Sequence, residues 1–303
     1  MSHSNLFKRI VFALWAIPVG WWVINSELSL LPPSVAKTLF DDPTIVLRPG
    51  HLVVIIITFL GLYEYLSMLS LRYSHNAFWL VYFWFFFQLT SYFMPIRFTL
   101  SRSLDTYILL MLVALEAAIW GRKEGRWKRA SLLFSGTVFL SIAGQSMLNF
   151  YSPPLQEIFP RRFDAQMLSQ VGLIIIVASV FLCDSAAYFA GKMFGKHHFS
   201  SISPKKTIEG GFAGLIAAVI MSAIGWYFFA SDQHNVVWGV IMGILIGVFA
   251  QLGDLLVSLI KRYFRVKDAS NIIPGHGGIL DRFDSLFFTA PILNLFFVLI
   301  DKT

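Results

Sequence analysis

Long apolar runs, separated by short polar segments, dominate the chain and predict membrane-spanning helices. A helix needs about 20 mainly apolar residues to cross a hydrocarbon core of roughly 30 Å. Runs of this kind lie near residues 8–25, 51–70, 77–95, 103–121, 130–149, 168–190, 212–230, 236–257 and 285–300. The pattern predicts an all-α polytopic membrane protein with about nine transmembrane helices. Because the last run is short, an arrangement with eight spans is an alternative.

The distribution of basic residues predicts the orientation of these helices. With nine spans and a cytoplasmic N-terminus, 17 of the 24 Lys and Arg residues fall on the cytoplasmic side. This excess agrees with the positive-inside rule. The first run follows Lys8 and Arg9 but lacks a small-x-small cleavage site, so we interpret it as an uncleaved anchor. We expect a multi-pass protein of a bacterial inner membrane, with its N-terminus in the cytoplasm.

Composition agrees with a membrane protein and narrows the choice of ligands. Hydrophobic residues make up 56% of the chain and charged residues 14%, which leaves too little polar surface for a soluble globule of this size. The formal net charge is +7, yet no basic soluble domain is present to bind nucleic acid. Anionic lipid headgroups and phosphate substrates explain this charge better. Cys183, the single cysteine, can form no intrachain disulfide.

Polar residues divide the chain into two predicted regions. Residues 1–165 form a transmembrane scaffold of about five helices, and residues 166–303 form a catalytic transmembrane region with an active site at the cytoplasmic face. Within the scaffold, Glu64 is a candidate functional residue because a carboxylate inside a span is costly. A hydrogen-bonded Glu near the end of its helix is the alternative interpretation.

Three polar clusters are predicted to meet the same membrane face, at residues 183–196, 201–211 and 253–285. Residues 258–284 alone carry five basic and three acidic side chains. Charged groups next to a bilayer must be solvated, paired or coordinated. A mixture of Lys, Arg, Gly and Asp suits phosphate groups and a hard metal ion.

The acidic residues of these clusters indicate a magnesium site. Asp281 and Asp284 are spaced i, i+3 and therefore share one face of a helix. Gly239, Gly243 and Gly247 form a small-residue stripe for helix packing, and at 100° per residue this stripe leads to the side that carries Asp254, Ser258 and Lys261. Mg²⁺ takes a few carboxylate oxygens together with water and substrate phosphates. A solvated helix N-terminus with acidic residues is the alternative.

Two further segments are candidate phosphate sites. The glycine turn at 274–278 leads into a helix N-terminus, where backbone N–H groups can approach an anion. Lys205 and Lys206 lie in a short loop with hydroxyl donors, although ordinary positive-inside lysines are the alternative. His197, His198 and His276 lack the partners of a zinc site.

The segment from Ser258 to Asp284 resembles the signature of the CDP-diacylglycerol synthases, the phosphatidate cytidylyltransferases. The matching residues are Ser258, Lys261, Arg262, Lys267, Asp268, Ser270, Pro274, His276, Gly277, Gly278, Asp281, Arg282 and Asp284. Two upstream motifs are similar as well, at Asp184, Ala187, Tyr188, Gly191, Phe194, Gly195 and Lys196, and at Ser203, Pro204, Lys205, Lys206, Thr207, Glu209 and Gly210.

This resemblance implies a magnesium-dependent transfer of CMP from CTP to phosphatidic acid, which gives CDP-diacylglycerol and pyrophosphate for phospholipid biosynthesis. Because such a reaction must offset the repulsion between phosphates, we expect Asp254, Asp281 and Asp284 as cation ligands, and Lys267 and Asp268 as further catalytic residues. The implied substrate-binding residues are Ser203, Lys205, Lys206, Thr207, Glu209, Ser258, Lys261, Arg262, His276, Gly277, Gly278 and Arg282. Asp184 is a candidate for shaping the cavity or holding a second cation.

Other functions share some of these features. A CTP-dependent lipid-alcohol kinase of the dolichol or phytol kinase type would also be polytopic and bind CTP and metal, but it would release CDP. A transporter also carries intramembrane carboxylates, although here the charges cluster at one face. A binding-competent but inactive family member is a third alternative. A homodimer is a further hypothesis.

Overall fold

The computed structural model describes residues 30, 48–72, 81, 82, 85, 126–151, 165–198, 203, 206–229, 236–273 and 277–300. Its helices are α1 (Pro49–Arg72), α2 (Arg126–Tyr151), α3 (Ala165–Phe194), α4 (Ile208–Phe229), α5 (Val237–Tyr263) and α6 (Leu280–Ile300). Extended pairing in these residues is limited to two isolated bridges, His198 with Thr207 and Ile273 with Gly277. The predicted all-helical fold class is therefore confirmed for the described part of the chain.

Five of the described helices are long and apolar enough to cross a membrane. These candidate spans are Pro49–Leu69, Ala130–Phe150, Leu173–Phe194, Ile208–Phe228 and Val237–Tyr263, and each overlaps one predicted run. The protein is a multi-pass membrane protein. The runs at 8–25 and 103–121, and nearly all of 77–95, lie outside the described residues, so the count of nine helices and the cytoplasmic N-terminus stay predictions.

The chain forms two compact units. Unit 1 comprises Met1–Gln145 and Asp268–Leu280, and unit 2 comprises Ser146–Lys267 and Asp281–Thr303. The segment Asp268–Leu280, which belongs to the predicted catalytic region by sequence, thus clusters with residues of the predicted scaffold. The functional division between residues 165 and 166 stays a prediction.

In unit 1, α1 and α2 are joined around Tyr65. Its side chain is buried, and its hydroxyl donates a hydrogen bond of 2.7 Å to the carbonyl oxygen of Leu132. The ring lies over Gly136, where any Cβ atom would collide with it. A glycine at this position therefore lets the aromatic ring of α1 approach the backbone of α2.

In unit 2, α4 packs against both α3 and α5. The predicted stripe of Gly239, Gly243 and Gly247 lies in the α4–α5 contact. A Cβ atom at Gly243 would lie 2.5 Å from the Cα of Val219, and one at Gly247 would lie 2.6 Å from the Cδ1 of Leu215. The absence of side chains brings the two helices together, which confirms the packing role predicted for the stripe.

The C-terminal end of α5 is closed by a Schellman motif. The N–H of Val266 donates to the carbonyl oxygen of Lys261, and the N–H of Arg265 donates to that of Arg262, each at 3.0 Å. Arg265 has a φ of 61°, the left-handed conformation that this motif requires and that glycine usually supplies. The motif ends the helix directly after two of the predicted phosphate-binding residues.

Candidate active site

Two lysine–aspartate ion pairs lie in unit 2. Lys206, in the loop before α4, pairs with Asp254 on α5. Lys261, near the end of α5, pairs with Asp281 in the first turn of α6, with 2.6 Å between Nζ and Oδ1. The side chains of this second pair are only 12% and 8% exposed. Each pair joins a residue predicted to bind phosphate to a residue predicted to bind a cation.

A third aspartate, Asp284, lies in the same unit and is buried. One carboxylate oxygen accepts a hydrogen bond of 2.8 Å from the N–H of Ser285. Burial, and then the negative charge of Asp254, hold the pKa of Asp284 above its ordinary value. The hydroxyl of Ser285 lies 3.4 Å from Oδ2 of Asp184 on α3 and donates to it. Ser285 therefore hydrogen-bonds both Asp184 and Asp284.

The donor chemistry of this cluster fits a hard divalent cation. Among the residues that the structure describes, no three His, Cys, Asp or Glu side chains form a ready-made metal site. Magnesium does not need one, because it is commonly bound through one or two carboxylates together with water and substrate phosphates. A cation beside Asp254 and Asp284 would offset the repulsion between their charges. The assignment of Asp254, Asp281 and Asp284 as ligands, and of Asp184 to a second cation, stays a prediction.

The other predicted residues near the end of α5 are more exposed. The hydroxyl of Ser258 donates to Oδ1 of Asp254 at 3.4 Å, which confirms that the two side chains share a helix face. Nη1 of Arg262 donates to the carbonyl oxygen of Val266 at 3.0 Å. The exposed side chains include Arg262, Lys267, Asp268 and Arg282. The three cations among them, Arg262, Lys267 and Arg282, are accessible to an anionic substrate.

The loop before α4 is held in place by short contacts around Thr207. Its hydroxyl oxygen caps α4 by accepting the N–H of Gly210 at 3.2 Å. A Cβ atom at Gly195 would lie 2.5 Å from the Cγ2 of Thr207, so the loop can close tightly on this side chain. The N–H of Lys206 donates to the carbonyl oxygen of Ser203 at 3.0 Å. These contacts fix the backbone on both sides of Lys206, whereas Lys205 lies outside the described residues.

Glu209 is bound to the preceding loop. Its Oε1 lies 2.7 Å from Nδ1 of His197, and the backbone N–H of His197 lies 3.2 and 3.3 Å from the two carboxylate oxygens. The sequence suggested a substrate-binding role for Glu209, which stays a prediction. The observed contacts assign it a second task, which is to tie the end of α3 to the start of α4.

The residues that follow the glycine turn are bound by the carboxylate of Glu64. Gly277 has a φ of 85°, and its carbonyl oxygen accepts the N–H of Ile273 at 2.9 Å. The N–H groups of Ile279 and Leu280 are accepted by the carboxylate of Glu64, at 2.8 and 2.7 Å. A protein carboxylate therefore occupies these two N–H groups, and the phosphate site expected at the turn 274–278 stays a prediction. His276 lies outside the described residues, and the substrate contacts of Gly277 and Gly278 stay predictions.

Residues 44–300 match the model of a family described as the cytidylyltransferase family. This range is most of the chain and includes every residue of the site. The chain belongs to the cytidylyltransferase family.

Similar members of this cytidylyltransferase family are found in staphylococci. The chain is 46% identical to the phosphatidate cytidylyltransferase of Staphylococcus haemolyticus over 120 residues, which are 39% of this chain and 46% of the relative. It is 48% identical to that of Staphylococcus aureus strain COL over 122 residues, again 39% of this chain and 46% of the relative. The aligned part thus spans about half the length of these curated relatives.

Two partners in the candidate site were missed by sequence reasoning. Ser285 hydrogen-bonds Asp184 and also supplies the N–H bound by Asp284, and its position directly after Asp284 was the only local signal. His197, considered only as a zinc ligand, is the partner of Glu209. No periodicity links these two residues, since a turn rather than a helix separates them.

Proposed function

We propose that this protein is a magnesium-dependent CTP:phosphatidate cytidylyltransferase that makes CDP-diacylglycerol and pyrophosphate. The observation that carries the proposal is the pairing of Lys206 with Asp254 and of Lys261 with Asp281 near the ends of membrane helices. The staphylococcal relatives are named phosphatidate cytidylyltransferases, which supports the choice of phosphatidic acid as acceptor.

In the proposed reaction, a phosphate oxygen of phosphatidic acid attacks the α-phosphorus of CTP. A new P–O bond forms, the bond from the α-phosphorus to the bridging oxygen breaks, and pyrophosphate leaves with the electron pair. The attacking phosphate monoester is already ionised near neutral pH, so the site needs little general-base catalysis. The main obstacle is the repulsion between a lipid phosphate and a triphosphate, which positioned cationic groups offset.

The two ion pairs suit an exchange of partners on substrate binding. Each lysine is neutralised by an aspartate in this structure. With the triphosphate bound, each lysine would contact phosphate oxygens, and each aspartate would be available to hold a divalent cation. The largely buried Lys261 and Asp281 would each keep an oppositely charged partner in both states, which avoids the large cost of an unpaired charge.

Mg²⁺, when bound, would supply Lewis-acid stabilisation of the charge that develops on the phosphates. Asp254 and Asp284 would hold it, with Asp281 as the third proposed ligand. Lys206 and Lys261 would contact the phosphates, and the exposed Arg262, Lys267 and Arg282 would guide them towards the site. Asp268 would orient one of these lysines or a bound water molecule.

The membrane setting suits the two substrates. The acyl tails of the lipid can stay in the bilayer beside the five apolar helices, while the headgroup reaches the charged helix ends. CTP is a cytosolic nucleotide, so the site is proposed to face the cytoplasm of a bacterial inner membrane. Association into a homodimer is a separate hypothesis.

Product analysis tests this function. The purified protein in detergent is incubated with CTP, phosphatidic acid and Mg²⁺, and pyrophosphate is separated from CDP. The proposal requires pyrophosphate and a CDP-lipid in equal amounts. Formation of CDP with an added lipid alcohol would instead favour the kinase alternative, and no consumption of CTP with any lipid would favour a transporter or an inactive homologue.

A further inference from the structure

The side chain of Glu64 is a completely buried carboxylate on α1. It accepts three hydrogen bonds within unit 1. The hydroxyl of Ser270 donates at 2.6 Å, the N–H of Ile279 at 2.8 Å and the N–H of Leu280 at 2.7 Å. All three donors belong to the segment Asp268–Leu280, which lies more than two hundred positions further along the chain.

These contacts satisfy the start of α6 in a way that helix geometry favours. The first N–H groups of a helix have no partner within the helix, and the helix dipole favours a negative charge at this end. Glu64 supplies both the acceptor atoms and the charge from a distant helix. Hydrogen bonds from N–H groups to a carboxylate are among the stronger ones in proteins.

The backbone of Gly278 lies close to the carboxylate of Glu64. A Cβ atom at Gly278 would lie 2.5 and 2.6 Å from the two carboxylate oxygens of Glu64. The hydroxyl of Ser270, besides donating to Glu64, accepts the N–H of Ile272 at 3.1 Å. The glycine permits the close approach and the serine fixes the start of the segment, so Glu64 holds both of its ends.

We propose that Glu64 is a positioning residue, which fixes Ser270 and the residues from Gly277 to Leu280 at the start of α6. Asp281, a proposed cation ligand, is the residue that directly follows Leu280. Because Glu64 would act through Asp281, this role rests on the proposed cytidylyl transfer. The carboxylate of Glu64 is buried and already accepts three protein donors, which suits a positioning group better than a cation ligand or a general base.

Hydrogen exchange tests whether Glu64 holds the start of α6, and it does not depend on enzyme activity. Wild type, Glu64→Gln and a control, Thr137→Val, are compared in detergent by mass spectrometry. Thr137 is also buried in unit 1, and its hydroxyl has no hydrogen-bond partner among the described residues. In Glu64→Gln an amide N–H₂ replaces one acceptor oxygen, so we expect exchange at Ile279 and Leu280 to accelerate at least about tenfold. Thr137→Val should leave it unchanged.

Steady-state kinetics test whether Glu64 positions Asp281 for turnover. Loss of alignment at Asp281 should reduce kcat by about 10- to 100-fold, while KM for CTP changes little and the Mg²⁺ concentration needed for half-maximal turnover rises. A purely structural role would lower the thermal midpoint and the amount of active protein without changing the Mg²⁺ requirement. Glu64→Asp, which keeps the carboxylate but shortens its reach, should recover part of kcat relative to Glu64→Gln.

Ser270→Ala provides a second variant that removes one donor and leaves the carboxylate in place. It should accelerate amide hydrogen exchange in the same segment by a smaller factor. If Glu64→Gln does not fold, the proposal is tested with Ser270→Ala. Unchanged exchange in both variants would overturn the proposal, as would unchanged kcat and Mg²⁺ requirement in a variant whose exchange is faster. If the wild type transfers no cytidylyl group but the exchange result holds, then the proposed function has failed while the contacts of Glu64 stand.

Discussion

The carboxylates of unit 2 and the carboxylate of Glu64 in unit 1 are stabilised by different kinds of partner. Asp254 and Asp281 face the ends of lysine side chains, which can rotate towards another anion. Glu64 faces two backbone N–H groups and a serine hydroxyl, and the backbone groups cannot leave without unwinding a helix. The first arrangement suits groups that exchange partners during a reaction, whereas the second suits a group that keeps a backbone in one position.

The largest effect is expected from Asp281→Asn. This variant removes a proposed cation ligand and leaves a side chain of the same size, so turnover should fall by at least about a hundredfold. Steady-state turnover of CTP with phosphatidic acid measures the effect. Thermal unfolding and gel filtration in detergent serve as the folding control, and near-normal turnover would remove Asp281 from the site.

The Lys261–Asp281 pair allows a sharper comparison of stability with function. Lys261→Met alone leaves the buried Asp281 without its cation and should lower the free energy of unfolding by about 3 kcal/mol. Adding Asp281→Asn removes the lone charge and should recover most of that loss. The double variant should nevertheless stay inactive. If the double variant recovered turnover together with thermal stability, the proposed exchange of ion-pair partners on substrate binding would be contradicted.

A smaller effect on turnover is expected from Gly278→Ala, which disturbs the close approach of Gly278 to Glu64 in unit 1. In Gly278→Ala the new methyl group would overlap the carboxylate of Glu64, and such overpacking costs about 1–3 kcal/mol. Turnover should fall about tenfold through the misplaced start of α6. Gly225→Ala is a matched control in unit 2, because its Cβ would lie 2.7 Å from the Cγ1 of Ile175, a side chain with no role in the proposed site. Equal amide exchange at Leu280 in both variants would contradict the role of Glu64.

The smallest effect is expected from His197→Ala. The imidazole of His197 is 73% exposed, and solvent-exposed pairs contribute little to stability. Turnover should change by no more than about fivefold, because Thr207 still caps α4. The same CTP assay measures this, and a loss as large as that of Asp281→Asn would place the Glu209 loop within the reacting site.

Local periodicity predicted the features that depend on one segment of chain. Runs of apolar residues identified the five described spans, because helix length and hydropathy are properties of neighbouring residues. The spacing of Asp254 and Ser258 placed them on one face, and the structure confirms their contact. The partner of Glu64 could not be found in this way, since Leu280 lies 216 positions away. Periodicity likewise gave no sign that Glu64 binds the N–H groups that follow the glycine turn, and the phosphate site proposed for that turn stays a prediction.

Labelled CTP tests the central claim most directly. The purified wild type is given phosphatidic acid, Mg²⁺ and CTP labelled either at the α-phosphorus or at the γ-phosphorus, with Asp281→Asn measured in parallel. The account predicts that only the α label enters the lipid, that the γ label leaves in pyrophosphate, and that Asp281→Asn loses both signals together. Transfer of the γ label to a lipid would contradict it.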